Sequence, residues 1–269
     1  MPPDRVINLA VSGVTGRMGR ILVERVANSP DLRLAGGIAR RSLAGEAAQA
    51  LGCDRIERPA TAEPMLRAAD ALLDFSSADA LAELLRTQSE ALAGKALVIG
   101  TTGLTDEIET MIARCAERSP VVVAANFSVG VNVLLDLVER AARPLGPAEY
   151  DVEIVEAHHG RKADAPSGTA LALGKAVASG RGVQLDAVRR DGRSGETGER
   201  PPGEIGLHAL RGGSVVGEHH VLFLGQRERL ELAHAASDRA VFADGALAAA
   251  RWLVGREPGR YSMREVLGL

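Results

Sequence analysis

The sequence predicts an α/β protein, with a doubly wound parallel sheet in one domain and a second α+β domain whose sheet is mixed or antiparallel. Three observations carry this. Short, wholly apolar runs alternate with helical periodicity through the first half; a glycine-spaced turn joins the first run to the first helix; and beyond about Asn126 the pattern changes to longer runs of strand character. The 269 residues suit two modest domains. We assign 1–127 with 240–269 to the first and 128–239 to the second.

The elements follow in order. The run 6–11 is strand-like and stops at Gly13, helical spacing covers 17–26 through Met18, Ile21, Leu22 and Val26, and 32–38 reads as the next strand. Strands are then expected at 71–75, 96–99 and 120–124, with helices at 78–85 and 105–118. Because these strands are apolar throughout, helices must cover both faces of their sheet. In the second part, helical patterning over 129–142 precedes a strand at 150–156 and long, antiparallel-looking strands at 205–210, 214–224 and 228–234. The segment 192–200, rich in glycine and charge, reads as a mobile loop. Helical spacing over 239–253 is expected to return to the first domain.

Composition narrows the function. A net charge of -3, with both signs interspersed, provides no basic field for nucleic acid or an anionic membrane, so a small-molecule partner is favoured. Two cysteines, Cys53 and Cys115, make no disulfide framework and read as buried, inert thiols of a reducing compartment. The N-terminus carries no secretory signal, and its apolar run is too short to span a bilayer, so a cytoplasmic protein is expected.

Gly13-Val14-Thr15-Gly16-Arg17-Met18-Gly19 lies between the first strand and the first helix. Small residues there let the backbone approach a pyrophosphate, which free amides and the helix dipole stabilise. A tight βα turn is the plainer alternative. At the end of the second strand, Ala39-Arg40-Arg41-Ser42 offers no carboxylate for a ribose hydroxyl, and its arginines suit the 2′-phosphate of NADPH, though they also suit a solvated loop. Gly100-Thr101-Thr102-Gly103 and Ala124-Ala125-Asn126-Phe127-Ser128 follow two further strands, at the sheet edge where ligands of such folds bind. The layout is Rossmann-like.

The densest chemistry is Glu156-Ala157-His158-His159-Gly160-Arg161-Lys162-Ala163-Asp164-Ala165-Pro166-Ser167-Gly168-Thr169. Two histidines and two cations within five residues read as an anion site with a proton source. Ser167 or Asp164 can cap a helix whose amides at 168–169 would take a carboxylate. A metal site is disfavoured, because adjacent histidines point apart and no further ligand cluster accompanies them. His219, His220 and His234 read as satisfied sheet residues, and Arg211 and Arg239 suit substrate or surface pairs equally.

With the Ala125-to-Asn132 stretch, these segments resemble the signatures of the 4-hydroxy-tetrahydrodipicolinate reductase (dihydrodipicolinate reductase) family over nearly the whole chain. The resemblance implies an enzyme that moves hydride from NADPH or NADH to a small cyclic dicarboxylate, with loss of water, in lysine biosynthesis by the diaminopimelate route. It implies His158 as the acid/base residue, Lys162 as a proton donor, and His159, Gly168 and Thr169 as substrate contacts. It places the cofactor against Gly13, Val14, Thr15, Gly16, Arg17 and Met18, against Gly100, Thr101 and Thr102, and against Ala124, Ala125, Asn126 and Phe127. It implies a homotetramer built through the second domain's sheet. NADH-using members commonly carry an acidic residue where this chain has Ala39, so NADPH is favoured, with Arg40 as its contact. The competing readings are another Rossmann-type reductase and a nucleotide sensor without chemistry. A semialdehyde dehydrogenase would need a catalytic cysteine.

Overall fold

The structure is a computed structural model that describes residues 5–269. The described chain forms two compact units, one running to Ser128 and resuming over Arg239–Leu269, the other Val129–Asp238.

The first unit begins with β1 (Ile7–Ser12), α1 (Arg17–Ala27) and β2 (Leu32–Ile38). A tract of small elements follows: β3 (Leu43–Ala44), α2 (Glu46–Gln49), β4 (Arg55–Glu57) and α3 (Glu63–Ala68). Then come β5 (Ala71–Asp74), α4 (Ala78–Thr87), α5 (Ser89–Leu92), β6 (Ala96–Ile99), α6 (Asp106–Ala116) and β7 (Pro120–Val123). The sheet order is β13-β7-β6-β5-β1-β2-β4-β3, where β13 is Gly259–Tyr261 near the end of the chain. Its pairings are parallel except β3 with β4.

Successive side chains of a strand point to opposite faces, so a strand that is apolar throughout needs cover on both. Leu9, Val11, Leu73 and Val98 pack into one core with α1 and a helix from beyond the second unit. Ala10, Leu72, Leu97 and Ile99 pack into another with α3, α4 and α6. The sheet is therefore doubly wound.

The second unit holds α7 (Val129–Ala142), β8 (Asp151–His158), α8 (Gly168–Gly180), α9 (Leu185–Val188) and β9 (Arg189–Asp191). It closes with β10 (Ile205–Arg211), β11 (Gly217–Leu224) and β12 (Arg229–Ala236) in a sheet ordered β12-β11-β8-β10-β9. Val152 and Ile154 of β8, with Val221 and Phe223 of β11, form its core with α7 and α8. The expected set of long antiparallel strands is corrected. β11 alone runs opposite to the other strands, antiparallel to both β12 and β8, whereas β10 lies parallel to β8 and β9. The chain between β8 and β10 passes through α8 and α9, a crossover long enough to reverse direction twice. A second correction places His158 in the sheet, because β8 runs two residues past the expected end at Glu156.

The segment 192–200 has no regular structure, yet its arginines are engaged. Arg193 and Arg200 converge on Glu153, at 3.0 and 2.9 Å, and Arg200 also reaches Asp151 and the Glu204 carbonyl. Burial works against the Glu153 charge, but these arginines and His208 outweigh it and bring the carboxyl down to about 2.

The chain returns to the first unit in α10 (Ala240–Leu253), and α11 (Met263–Leu267) follows β13. Small residues let α10 lie close. A Cβ on Gly245 would stand 1.7 Å from the Phe127 carbonyl oxygen. Gly245→Ala should therefore cost about 1–3 kcal/mol, the usual penalty of overpacking, read as a lower urea midpoint. A midpoint equal to wild type would show that the close approach is not needed. No helix among the described residues is long and apolar enough to cross a membrane.

Candidate active site

In the first unit the chain turns at Gly13, where φ is +81° and a Cβ would meet the Phe75 carbonyl oxygen at 2.4 Å. Only glycine serves here. Gly19, in the first turn of α1, would clash with the Gly13 carbonyl oxygen at 2.2 Å, so this helix start and its loop are in backbone contact. Gly16, the N-cap of α1, supplies no side-chain cap, and no acidic residue stands in the first turn. Such a terminus leaves amide donors and partial positive charge for an anion.

Around it lies a cleft of about 320 Å³. The glycine loop contributes Gly13, Thr15 and Gly16, the end of β2 contributes Ala39 and Arg40, and the end of β5 contributes Phe75, Ser76 and Ser77. The serines and Phe75 were not singled out from sequence, although the end of the strand expected at 71–75 was the signal. Of the other expected residues, Gly100 presses on the Phe75 ring, and Phe127 lies 5.5 Å from that ring. Thr101 accepts from the Ser76 amide at 3.0 Å and donates to Asp74. Ser76 also donates to this wholly buried carboxyl, which burial pushes above the usual range despite bonds from Ser12, Thr101 and Ser76. Val14 is fully buried against Gly37, and Met18 packs on the core beside α1, so both side chains are turned from the cleft. Arg17 and Thr102 are exposed, while Ala124, Ala125 and Asn126 are absent from the cleft lining.

In the second unit the site grows from the alternation of β8. Val152, Ile154 and Glu156 point toward the helices, and His158 follows on the same side by the same period. Register places His219 of β11 opposite Glu156, and Arg211 of β10 opposite His158. Glu156 is 1% exposed. Arg211 grips it with two bonds of 2.8 and 2.7 Å, His158 Nδ1 lies 2.6 Å from Oε2, and the Ser167 amide donates to Oε1 at 2.9 Å. Burial penalises the Glu156 charge, but Arg211, His158 and Ser167 outweigh it and hold the carboxyl below its usual range. Arg211 is held above its own.

Ser167 caps α8, accepting from the Ala170 amide at 3.1 Å. Gly168 beside it is exposed, and a Cβ there would meet nothing within 4 Å. The first turn of α8, like that of α1, lacks the carboxylates found in α4 and α6. It suits an incoming carboxylate. His158 stands edge-on to His219 at 5.3 Å, and Lys162 reaches Asp164 at 2.9 Å. Lys162 also adds to the field on His219, which burial first and then His158 depress to about 4. His219 is thus a neutral imidazole, 3.3 Å from the Ser167 hydroxyl.

Sequence reasoning named His158, His159, Lys162, Gly168 and Thr169, left Arg211 open and set His219 aside. Glu156 and Arg211 meet across 55 residues of chain, a pairing that only strand register reveals. The thiols offer no nucleophile. Burial, then Asp54, pushes Cys53 up to about 11, and half-buried Cys115 is raised by burial too. Activated cysteines are depressed instead. The expectation that both thiols are buried holds for Cys53 alone.

The doubly wound fold with its glycine loop defines a class, a pyridine-nucleotide oxidoreductase. Comparison with known proteins supplies the family. Dihydrodipicolinate reductase, N-terminus, matches residues 7–127, and Dihydrodipicolinate reductase, C-terminus, matches 130–267. The chain belongs to the dihydrodipicolinate reductase family. It is 48% identical to the 4-hydroxy-tetrahydrodipicolinate reductase of Thiobacillus denitrificans, over 98% of this chain and 99% of that one. The enzyme of the same name from Methylocella silvestris is 46% identical, over 98% and 97%. Among solved structures, a dipicolinate-bound dihydrodipicolinate reductase from Paenisporosarcina sp. TG-14 shares the fold with a TM-score of 0.73, at 23% identity over 97% of this chain and 98% of that one.

The His219 shift fixes a pH dependence. The unfolded imidazole binds a proton below about 6.5 and the folded one only near 4, so the unfolded state gains protons first and stability falls as pH drops through that window. The loss should reach about 2 kcal/mol by pH 5. Urea unfolding at pH 7 and pH 5 should show it in wild type and not in His219→Asn, while His234, depressed by burial in the same direction, still titrates. An unchanged pH slope in the variant would remove His219 as the cause.

Proposed function

We propose that the chain reduces 4-hydroxy-tetrahydrodipicolinate to tetrahydrodipicolinate, with loss of water, in lysine biosynthesis by the diaminopimelate route. The observation that carries this is the match of both halves of the family across a chain whose second unit sets His158 and Lys162 beside the open start of α8. The dipicolinate bound to the Paenisporosarcina relative supports a small cyclic dicarboxylate as the ligand.

The first unit binds the dinucleotide and the second binds substrate. The N-terminus of α1 and the turn at Gly13 suit a pyrophosphate, because no side chain caps the helix and no acidic residue stands in its first turn. When bound, the nicotinamide supplies hydride. Gly168 and Thr169 hold a substrate carboxylate at the positive end of α8, and His159 adds a polar contact. Loss of the 4-hydroxyl as water, with a proton from the carbon next to the imine carbon, gives a conjugated imine. Hydride added at the carbon that bore the hydroxyl leaves negative charge shared between the nitrogen and the carbon that lost the proton. His158 and Lys162 stabilise that charge and return a proton to it.

NADPH is the preferred donor, since Ala39 and Arg40 line the cleft where an NAD-selective site carries a carboxylate. A charge-assisted contact of about 1.5–3 kcal/mol corresponds to roughly ten- to a hundredfold in kcat/KM. The cytoplasm, where Cys53 and Cys115 remain thiols, is the compartment.

The assembly is a homotetramer formed through the second unit's sheet, whose outer face carries Leu210, 58% exposed, with Val155 and Leu222 on the same side. Sedimentation velocity should give the tetramer, and a monomer at micromolar concentration would refute this assembly.

The reaction is tested by following NADPH oxidation with the preceding synthase supplying the unstable substrate. Turnover should depend on the synthase and fall by roughly two orders of magnitude or more in His158→Gln. Wild-type protein that binds NADPH without turnover would revive the sensor reading. Equal kcat/KM with NADH would end the NADPH preference alone.

A further inference from the structure

The Glu156 carboxylate is wholly buried at the end of an otherwise apolar row, and its two oxygens serve different parts of the second unit. We infer that Glu156 is a positioning residue for the reduction: Oε2 fixes the ring of His158 through Nδ1, while Oε1 fixes the start of α8 through the Ser167 amide. The inference rests on the reading of His158 as the acid–base group, and it adds a residue that the family resemblance does not assign.

Arg211 makes two bonds to Glu156, and its Nη2 donates again to the Asp164 carbonyl at 2.8 Å, so one guanidinium ties β10 to β8 and to the turn before α8. With Arg211 and the Ser167 amide in place the carboxylate stays ionised, and an ionised carboxylate is acceptor only. His158 Nδ1, 2.6 Å away, must therefore carry a hydrogen. In the neutral ring this leaves the lone pair on Nε2. Nε2 lies beside Gly217, where a Cβ would intrude at 3.1 Å, so the absence of a side chain keeps that nitrogen clear. The groups around His158 are Glu156 on its own strand, Arg211 on β10, His219 on β11, and Lys162 with Asp164 on the following turn. Only Glu156 makes a short bond to the ring among the described contacts. One carboxylate thus sets which nitrogen meets the substrate and where the carboxylate-holding amides stand.

Glu156→Gln keeps shape and one acceptor, but its amide nitrogen is a donor where Nδ1 and Arg211 also donate. The ring must then present Nδ1 as acceptor and carry its hydrogen on Nε2. Histidine-labelled protein studied by nitrogen-15 NMR should show the neutral His158 ring with hydrogen on Nδ1 in wild type and on Nε2 in Glu156→Gln. In the coupled assay kcat should fall on the order of 10²–10⁴, the scale of lost general acid–base catalysis. The KM for NADPH should stay unchanged. Glu156→Asp, which keeps the charge, should recover the wild-type tautomer and part of the rate. A neutral wild-type ring with its hydrogen on Nε2 would overturn the inference without any variant. So would a folded Glu156→Gln protein with the wild-type tautomer, since a merely structural carboxylate would not set it. Wild type without synthase-dependent turnover would instead overturn the reductase reading, and the tautomer measurement would still decide the role of Glu156.

Discussion

A buried charge must be neutralised where it stands, and in the second unit that requirement organises the site. Glu156 occupies a position whose alternation would otherwise hold another aliphatic side chain against α8. Removing a carboxylate from water costs several kcal/mol, so its partners cannot be left to chance. Arg211 supplies the countercharge, the Ser167 amide a fixed donor, and His158 the remaining short bond. Each partner comes from a different element. Satisfying one carboxylate therefore locks β8, β10 and the cap of α8 into one geometry, and the neutral His219 fills the space that a second charge could not occupy.

The first unit is governed by steric exclusion. Its glycine loop works because side chains are missing: at Gly13 and Gly19 a Cβ would strike backbone atoms that cannot give way. The two units nonetheless share one device. α1 and α8 both begin without carboxylates, as α7 and α10 also do, whereas α4 and α6 place acids in their first turns, where such groups stabilise an exposed helix end. Leaving acids out of a first turn sacrifices a little stability and keeps the helix end ready for an anion, which is the use proposed for both.

Legibility in the sequence followed length and periodicity. β2, β6 and α7 have the bounds their apolar patterns suggest, because a buried strand or an amphipathic helix writes its environment into consecutive residues. Residues 43–70 gave no such signal. β3 and β4 are two and three residues long, too short for any period. The direction of β10 was misread because alternation is the same in parallel and antiparallel pairs, and the crossover through α8 and α9 decides between them. For the sites, the glycine loop, the histidine pair and the Ser167 cap stood in contiguous residues. Glu156 lay in the same motif, but its role depended on a partner far along the chain.

By itself the sequence determined the fold class and the family, and it singled out the glycine loop and the histidine segment, because each is written in local spacing or in contiguous motifs. Only the tertiary structure decided that Arg211 serves Glu156 rather than the surface, that His219 is a buried neutral neighbour of His158, and that Ser76 and Phe75 line the cleft at the glycine loop. Those facts depend on strand register and burial. Both are fixed by the sum of many packing contacts, and neither is encoded in the residues they bring together.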